Sequence, residues 1–93
     1  MKIEQIDEVT KGFFKAVESG KQAGKIEYTW AGKNKFIVDH TEVNPEFKGK
    51  GVGKKLVQAT VNFAKENKLK VIPLCPFAKS VIEKTSEFQE VLA

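Results

Sequence analysis

A glycine-rich and lysine-rich segment in the middle of the chain has the composition of a phosphate-binding loop. Three glycines alternate with other residues and four lysines surround them: Gly49, Gly51, Gly53, Lys48, Lys50, Lys54 and Lys55. Glycine lets a backbone approach a bulky ligand closely and adopt a positive φ. A helix that begins at Val52 would present unpaired amides at its N-terminus, and such amides form an anion site. The alternative is a glycine-rich turn that only caps the helix.

The elements on either side of this segment are those that a phosphate loop requires. Lys35 to Val43 is apolar and β-branched, which predicts a strand. Val52 to Glu66 has apolar residues at helical spacing, which predicts an amphipathic helix. The spacing Gly-x-Gly-x-Gly is neither the dinucleotide fingerprint nor the Walker loop. The segment is therefore predicted to join a strand to a helix in some other phosphate-binding arrangement.

Two further strands are predicted before this unit. Phe13 to Glu18 ends at a Ser-Gly turn, and Ala23 to Ala31 alternates with Ile26, Tyr28 and Trp30 on one face. Short turns between three consecutive strands predict an antiparallel meander. Residues 1–11 leave two interpretations open, a helical turn or an edge strand.

After the helix, Lys70 to Cys75 is predicted to form a short buried strand, parallel to the last strand of the meander because a helix connects the two. Ala78 to Lys84 is expected to be a short helix, and Phe88 to Leu92 a last strand or a docked tail. The expected fold class is α/β (α+β): a mixed sheet with an antiparallel three-stranded meander, a helix, a parallel strand and a C-terminal helix.

Composition limits the classes of function. The 93 residues are expected to form a single domain, 1–93. All 16 basic residues are lysines, and the net charge is +4. Nucleic-acid readers rely on the planar arginine side chain, so nucleic acid is an unlikely partner. One cysteine, a polar N-terminus and no long apolar run predict a cytoplasmic protein without an internal disulfide or membrane span. No metal site is expected.

The loop and its flanks resemble the acetyl-CoA loop of the GNAT acetyltransferases. That pattern is Val-x-Pro-x-aromatic-(Arg/Gln)-x-x-Gly-x-Gly/Ala, and six residues of this chain fall on it in register: Val43, Pro45, Phe47, Lys48, Gly51 and Gly53. Lys48 departs from it, because the superfamily usually has Arg or Gln there. The chain also lacks the helical segment that larger members insert between their first two strands.

The resemblance implies acetyl-CoA (coenzyme A) as cofactor. It implies that the backbone amides from Gly49 to Gly53, Val52 included, bind the pyrophosphate, and that Lys50, Lys54 and Lys55 reach the phosphates. It further implies that the Val43 main chain holds the pantetheine arm. The Thr41 amide would face the thioester carbonyl as an oxyanion donor.

Two further motifs are similar to those of a small, single-domain GNAT-type group with a Cys-Pro-aromatic sequence. They are His40-Thr41-Glu42-Val43 before the loop and Val71 to Phe77 after the helix, and the resemblance covers about residues 12–92. This likeness implies that Cys75, Pro76 and Phe77 contact the cofactor.

Cys75 and His40 are the candidate catalytic side chains. Cys75 is expected at the start of a helix, which lowers the pKa of a thiol. It would accept the acetyl group, protonate the departing CoA thiolate, or only pack. An ordinary histidine titrates near neutral pH, which suits His40 as a general base. Simple alternation places His40 on the face of Phe36 and Val38, which favours a half-buried histidine instead.

Two further positions bear on the catalytic expectation. Glu42 is expected either to act as a base through a water molecule or to be only an exposed carboxylate. Many GNAT enzymes use a tyrosine as general acid in the helix that follows the last parallel strand. Ile82 stands about where that tyrosine would fall, and the only tyrosine, Tyr28, is in the meander. Tyr28, Trp30 and Phe77 are expected to be core or pocket wall.

The sequence thus predicts an N-acetyltransferase that moves an acetyl group from acetyl-CoA to a primary amine, with a protein lysine or N-terminus as the favoured acceptor. Two alternatives remain: a CoA-binding protein with little or no catalysis, and a basic interaction module. A monomer or a weak dimer is expected.

Overall fold

The computed structural model describes all 93 residues and contains one five-stranded sheet with two helices. The strands, in sheet order, are β1 (Lys2–Asp7), β2 (Lys11–Glu18), β3 (Lys21–Trp30), β4 (Lys35–Val43) and β5 (Lys70–Pro73). The helices are α1 (Val52–Glu66) and α2 (Pro76–Lys84), and 3-10 turns span Pro45–Phe47 and Ser86–Val91. Strands β1 to β4 are antiparallel, whereas β4 and β5 are parallel. Neither helix combines the length and the apolar character needed to cross a membrane.

The predicted fold class is confirmed, with differences at both ends of the chain. Of the two interpretations of residues 1–11, the edge strand is correct, because β1 pairs with β2 along its whole length. The C-terminal segment is a docked tail rather than a strand. Phe88 and Val91 are buried three residues apart, a spacing that places both on one face of a 3-10 turn. The parallel strand ends at Pro73, two residues earlier than expected.

The two helices cover one face of the sheet. Helix α1 packs on β2 and β3, α2 packs on β4 and β5, and the helices also contact each other. The inner face of α1 carries five fully buried apolar residues: Val52, Leu56, Val57, Val61 and Ala64. Together with Ile26, Tyr28, Phe36 and Val38 from the sheet they form one hydrophobic core. This packing fixes the position of the N-terminus of α1 relative to the end of β4.

A polar network at Tyr28 explains why the first residues become a strand. The Tyr28 hydroxyl donates to Asp7 Oδ1 (2.8 Å) and accepts from Gln5 Nε2 (2.9 Å), while Trp30 Nε1 donates to the same Asp7 oxygen (2.9 Å). Tyr28 is otherwise buried in the core. Its polar tip therefore requires partners, and β1 supplies them.

A β-bulge in β4 changes which side chains face the helices. Glu27 pairs with His40 and the next residue, Tyr28, pairs with Val38, so Asp39 is an extra residue in β4. A bulge reverses the alternation of faces beyond it. His40 consequently leaves the face of Phe36 and Val38, and Thr41 takes the position on that face. The prediction of a half-buried His40 is wrong for this reason.

Candidate active site

The loop between β4 and α1 begins with a capped 3-10 turn. Asn44 Oδ1 accepts from the Glu46 amide (3.0 Å), and Asn44 also bonds to β3 through its own amide and its side chain. Pro45 follows at the first position of the turn, where its missing amide costs nothing. This anchoring ties the start of the loop to the sheet.

The glycines of the loop have two different functions. Gly49 and Gly51 have φ of +83° and +72°, and a Cβ added to either would meet no atom within 4 Å. They are therefore needed for their backbone conformation. Gly53 lies inside α1, where a Cβ would lie 2.6 Å from the Phe77 ring. It is needed because that ring packs on its backbone, and not for a positive φ.

The N-terminus of α1 presents a group of free amides. The amides of Gly49, Gly51, Val52, Gly53 and Lys54 donate to no carbonyl of the preceding turn, and no side chain caps the helix. The first amide of α1 that is paired is that of Lys55, which donates to Gly51 O (3.0 Å). Consecutive unpaired amides at a helix N-terminus bind anions through their partial positive charge.

These amides border a cleft of about 400 Å³. Its walls are formed by the end of β4, the loop, the first turn of α1 and one side of α2. The residues that line it are Val43, Phe47, Lys48, Gly49, Gly51, Val52, Gly53, Lys54, Phe77 and Val81. The sequence did not indicate Val81, although it lies four residues after Phe77 and so on the same face of α2.

The four lysines of the loop are not equivalent. Lys48 and Lys54 line the cleft. Lys50 lies 3.7 Å from a Glu18 carboxylate oxygen, with its ammonium 5.4 Å from the centre of the Phe47 ring. Lys55 is exposed and does not line the cleft. Lys48 and Lys54 are thus the charges best placed for an anion held by the amides.

Beyond the cleft, β4 and β5 separate. Their pairing ends at Val38 and Pro73, and the Val38 carbonyl accepts from the amides of both Leu74 and Cys75 (3.1 and 3.0 Å). The remainder of β4, from Asp39 to Val43, has no strand on the β5 side. An extended chain can pair with the free edge of such a segment. Thr41 and Val43, which the sequence predicts as contacts of the thioester carbonyl and of the pantetheine arm, both belong to this unpaired segment of β4.

Cys75 closes this gap. It is the residue that immediately precedes α2, it is 6% exposed, and its sulfur donates to Thr41 Oγ1 (3.4 Å). Burial acts to raise the pKa of the Cys75 thiol, but hydrogen bonding with the Thr41 side chain and with the backbone of Ala78, Phe77 and Thr41 outweighs burial, so the pKa is lowered. The direction of the shift is that of other thiols at helix N-termini.

His40 and Glu42 do not join Cys75. Both are exposed, on the opposite side of β4 from Thr41, and His40 Nε2 lies 3.7 Å from Glu42 Oε2. The structure therefore brings Thr41 and Cys75 together and leaves His40 on the open face of the sheet. Ile82 is buried in the core, so its position supplies no acid. Phe77 forms part of the cleft wall, whereas Tyr28 belongs to the core.

Comparisons with known proteins agree with this geometry. The sequence profile of the family described as GCN5-related N-acetyl-transferase matches residues 12–91. A search of curated protein sequences found no significant match. Among solved structures, a GCN5-like protein from Staphylococcus aureus is 38% identical, with a TM-score of 0.71 over 97% of this chain and 87% of that protein.

Two larger enzymes share the fold at low identity. A ribosomal-protein-alanine N-acetyltransferase from Brucella melitensis biovar Abortus 2308 is 20% identical, with a TM-score of 0.68 over 83% of this chain and 62% of its own. AAC(6')-Iy, solved with the bisubstrate analogue CoA-S-monomethyl-acetylneamine, is 14% identical, with a TM-score of 0.59 over 87% of this chain and 62% of its own. The profile match extends over most of the sequence, and the chain therefore belongs to the GCN5-related N-acetyltransferase family.

Proposed function

We propose that this chain is a single acetyl-CoA-binding domain that transfers the acetyl group to a primary amine. The observation that carries the proposal is the group of five free amides at the N-terminus of α1. These amides border a cleft that lies beside the unpaired half of β4. The amides of Gly49, Gly51, Val52, Gly53 and Lys54 would bind the pyrophosphate of the cofactor, since the Lys50 amide is already bonded to the Phe47 carbonyl. Lys48 and Lys54 would add charge from the cleft wall, with Lys50 and Lys55 farther out.

The residues between the cleft and Cys75 fit the rest of the cofactor. The unpaired edge of β4 offers the Val43 main chain to the pantetheine arm, as a neighbouring strand would pair with it. The Thr41 amide would donate to the thioester carbonyl oxygen and stabilise the negative charge that develops there. Pro76 and Phe77 would contact the arm from the α2 side.

In the simplest mechanism the acceptor amine attacks the thioester directly. The amine nitrogen forms a bond to the carbonyl carbon, the carbon–sulfur bond breaks, and the departing CoA thiolate takes a proton. Cys75 is the candidate proton donor, since it lies beside the Thr41 amide that would hold the carbonyl. His40, with Glu42 next to it, would accept the proton of the ammonium if the amine arrives over the open face of the sheet.

The lowered pKa of the Cys75 thiol supports a covalent alternative. The Cys75 thiolate would attack the thioester carbon, form an acetyl-cysteine and release CoA thiolate. The amine would then attack the acetyl-cysteine, regenerate the Cys75 thiolate and lose its extra proton to a base or to water. The two mechanisms differ in one testable respect, because only the second gives an acetylated protein when acetyl-CoA is added without an acceptor.

A protein amine, from a lysine or an N-terminus, is the acceptor we favour. No helix covers the open face of the sheet beside the gap, because α1 and α2 both pack on the other face. The open face therefore offers little to enclose a small molecule. AAC(6')-Iy bound an analogue derived from a small amine, so a small acceptor is the alternative to be tested.

The proposal is tested by incubating the protein with radiolabelled acetyl-CoA and two panels of acceptors, lysine-containing peptides and small amines. We expect transfer to peptides above the rate without protein. Transfer to polyamines or amino acids but not to any peptide would overturn the acceptor class. Binding of acetyl-CoA without transfer to either panel would favour a CoA-binding protein that does not catalyse.

A further inference from the structure

The contact between Cys75 and Thr41 joins two parts of the chain that lie 34 residues apart. Thr41 lies two residues before the end of β4 on one side of the gap, and Cys75 is the residue before α2 on the opposite side. The contact depends on the bulge at Asp39, because without the extra residue the Thr41 side chain would lie on the open face of the sheet. The bulge itself is held by a hydrogen bond from the Thr29 hydroxyl to the Asp39 carboxylate.

The groups around the sulfur are dipoles and not charges. The Thr41 hydroxyl and amide face it from β4, and the Phe77 and Ala78 amides face it from the first turn of α2. No side-chain hydrogen bond caps the N-terminus of α2, and these two amides lie close enough to the sulfur to stabilise a thiolate. The nearby ionisable groups His40 and Glu42 lie across β4, and no charged side chain contributes to the ionisation of the thiol.

We propose that the Thr41 hydroxyl is a positioning residue for Cys75, which holds the sulfur in the gap and donates to it when it is a thiolate. The hydroxyl suits both states, since it accepts from the thiol and rotates to donate to the thiolate. The role deepens the proposed function, because an acyl acceptor or proton donor must have a fixed sulfur. It is distinct from the oxyanion role of the Thr41 amide, which does not depend on the side chain.

The proposal predicts different behaviour for two substitutions of similar size. Thr41→Val keeps the shape of the side chain and removes the hydroxyl, whereas Thr41→Ser keeps the hydroxyl. The helix amides remain in both variants, so any difference in thiol ionisation reports on the hydroxyl. Because Cys75 is the only cysteine, all thiol alkylation is on this sulfur.

The test is the rate of Cys75 alkylation by iodoacetamide as a function of pH, followed by mass spectrometry on the full chain without acetyl-CoA. We expect Thr41→Val to move the midpoint to higher pH and Thr41→Ser to keep the wild-type midpoint. Losing a hydrogen bond to a charged group lowers the fraction of Cys75 that is thiolate, but the more basic thiolate that remains is also more nucleophilic. The net expectation is that the alkylation rate of Thr41→Val at pH 7 is about threefold or more below that of the wild type.

Matched controls keep the result interpretable. Cys75→Ala gives the unlabelled baseline, and thermal unfolding checks each variant for folding. If Thr41→Val does not fold, Thr41→Ala compared with Thr41→Ser gives the same contrast. Superimposed profiles of the hydroxyl-containing and hydroxyl-free variants would overturn the proposal, as would a Thr41→Ser profile displaced as far as that of Thr41→Val. Calorimetry with acetyl-CoA tests the proposed function separately, so the two failures are distinguishable.

Discussion

Gly51→Val should abolish acetyl-CoA binding while leaving a folded protein. Gly51 has φ of +72°, and no atom lies within 4 Å of an added Cβ. The valine side chain would therefore project into the cleft and cover the amides of the loop. A non-glycine residue in this conformation costs about 1–2 kcal/mol, and a β-branched residue resists it most. Each kcal/mol lowers the melting temperature of a domain of this size by about 4–8 °C.

Gly20→Val is the matched control for this substitution. Gly20 lies in the turn between β2 and β3, has φ of +78° and also has no atom within 4 Å of an added Cβ. It does not line the cleft. The two variants should consequently lose similar stability, whereas only Gly51→Val should lose the cofactor.

The assay is isothermal titration calorimetry with acetyl-CoA beside thermal unfolding of each variant. The reasoning requires binding by Gly20→Val and no detectable binding by Gly51→Val at a temperature where both are folded. Wild-type affinity in Gly51→Val would refute it, since the free amides would then not be the phosphate site. Equal loss of affinity in both variants would show that backbone strain, and not the occupied cleft, weakens binding.

Three further substitutions probe the thiol proposed to be catalytic, the cleft wall and the core. Cys75→Ala should keep acetyl-CoA affinity but lower the rate of acetyl transfer about a hundredfold or more, as expected for a lost acid–base group; an unchanged rate would assign Cys75 to packing. Gly53→Ala should displace the half-exposed Phe77 ring. Since alanine favours a helix by about 0.5–1 kcal/mol, the melting temperature should change little, while calorimetry should show weaker acetyl-CoA binding; unchanged affinity would exclude Phe77 from the site. Burial is the main cause that raises the pKa of Tyr28 to about 12, so the folded state keeps a proton that the unfolded state loses. The free energy of unfolding should therefore fall between pH 10 and 12 by about 2 kcal/mol, and Tyr28→Phe, compared by urea unfolding, should lack this component; parallel pH profiles of the two proteins would contradict it.

The sequence alone was enough to predict those elements in which the local residue pattern and the tertiary packing agree. The period of α1 is visible because its apolar residues recur on one face, and the structure begins and ends the helix at the predicted residues, Val52 and Glu66. The parallel arrangement of β4 and β5 followed from the helix that connects them. The positive φ values at Gly49 and Gly51 fit the expected loop, because glycine is the residue that adopts them readily.

Other features could not be predicted from the sequence because they depend on tertiary contacts. The bulge at Asp39 depends on the register between β3 and β4, and alternation along one strand contains no information about it. Its effect is to exchange the faces of His40 and Thr41, so that Thr41 and not His40 lies beside Cys75. Similarly, Gly53 is constrained by the Phe77 ring from another helix, a contact between residues 24 positions apart in the sequence.

Calorimetric titration of the purified protein with acetyl-CoA, beside free CoA and ATP, tests the central claim most directly. We expect micromolar binding of acetyl-CoA and much weaker binding of ATP, because the cleft and the free edge of β4 would hold the pantetheine arm as well as the phosphates. Equal affinity for ATP would reduce the site to a general anion site. No binding of either acetyl-CoA or CoA would contradict the account.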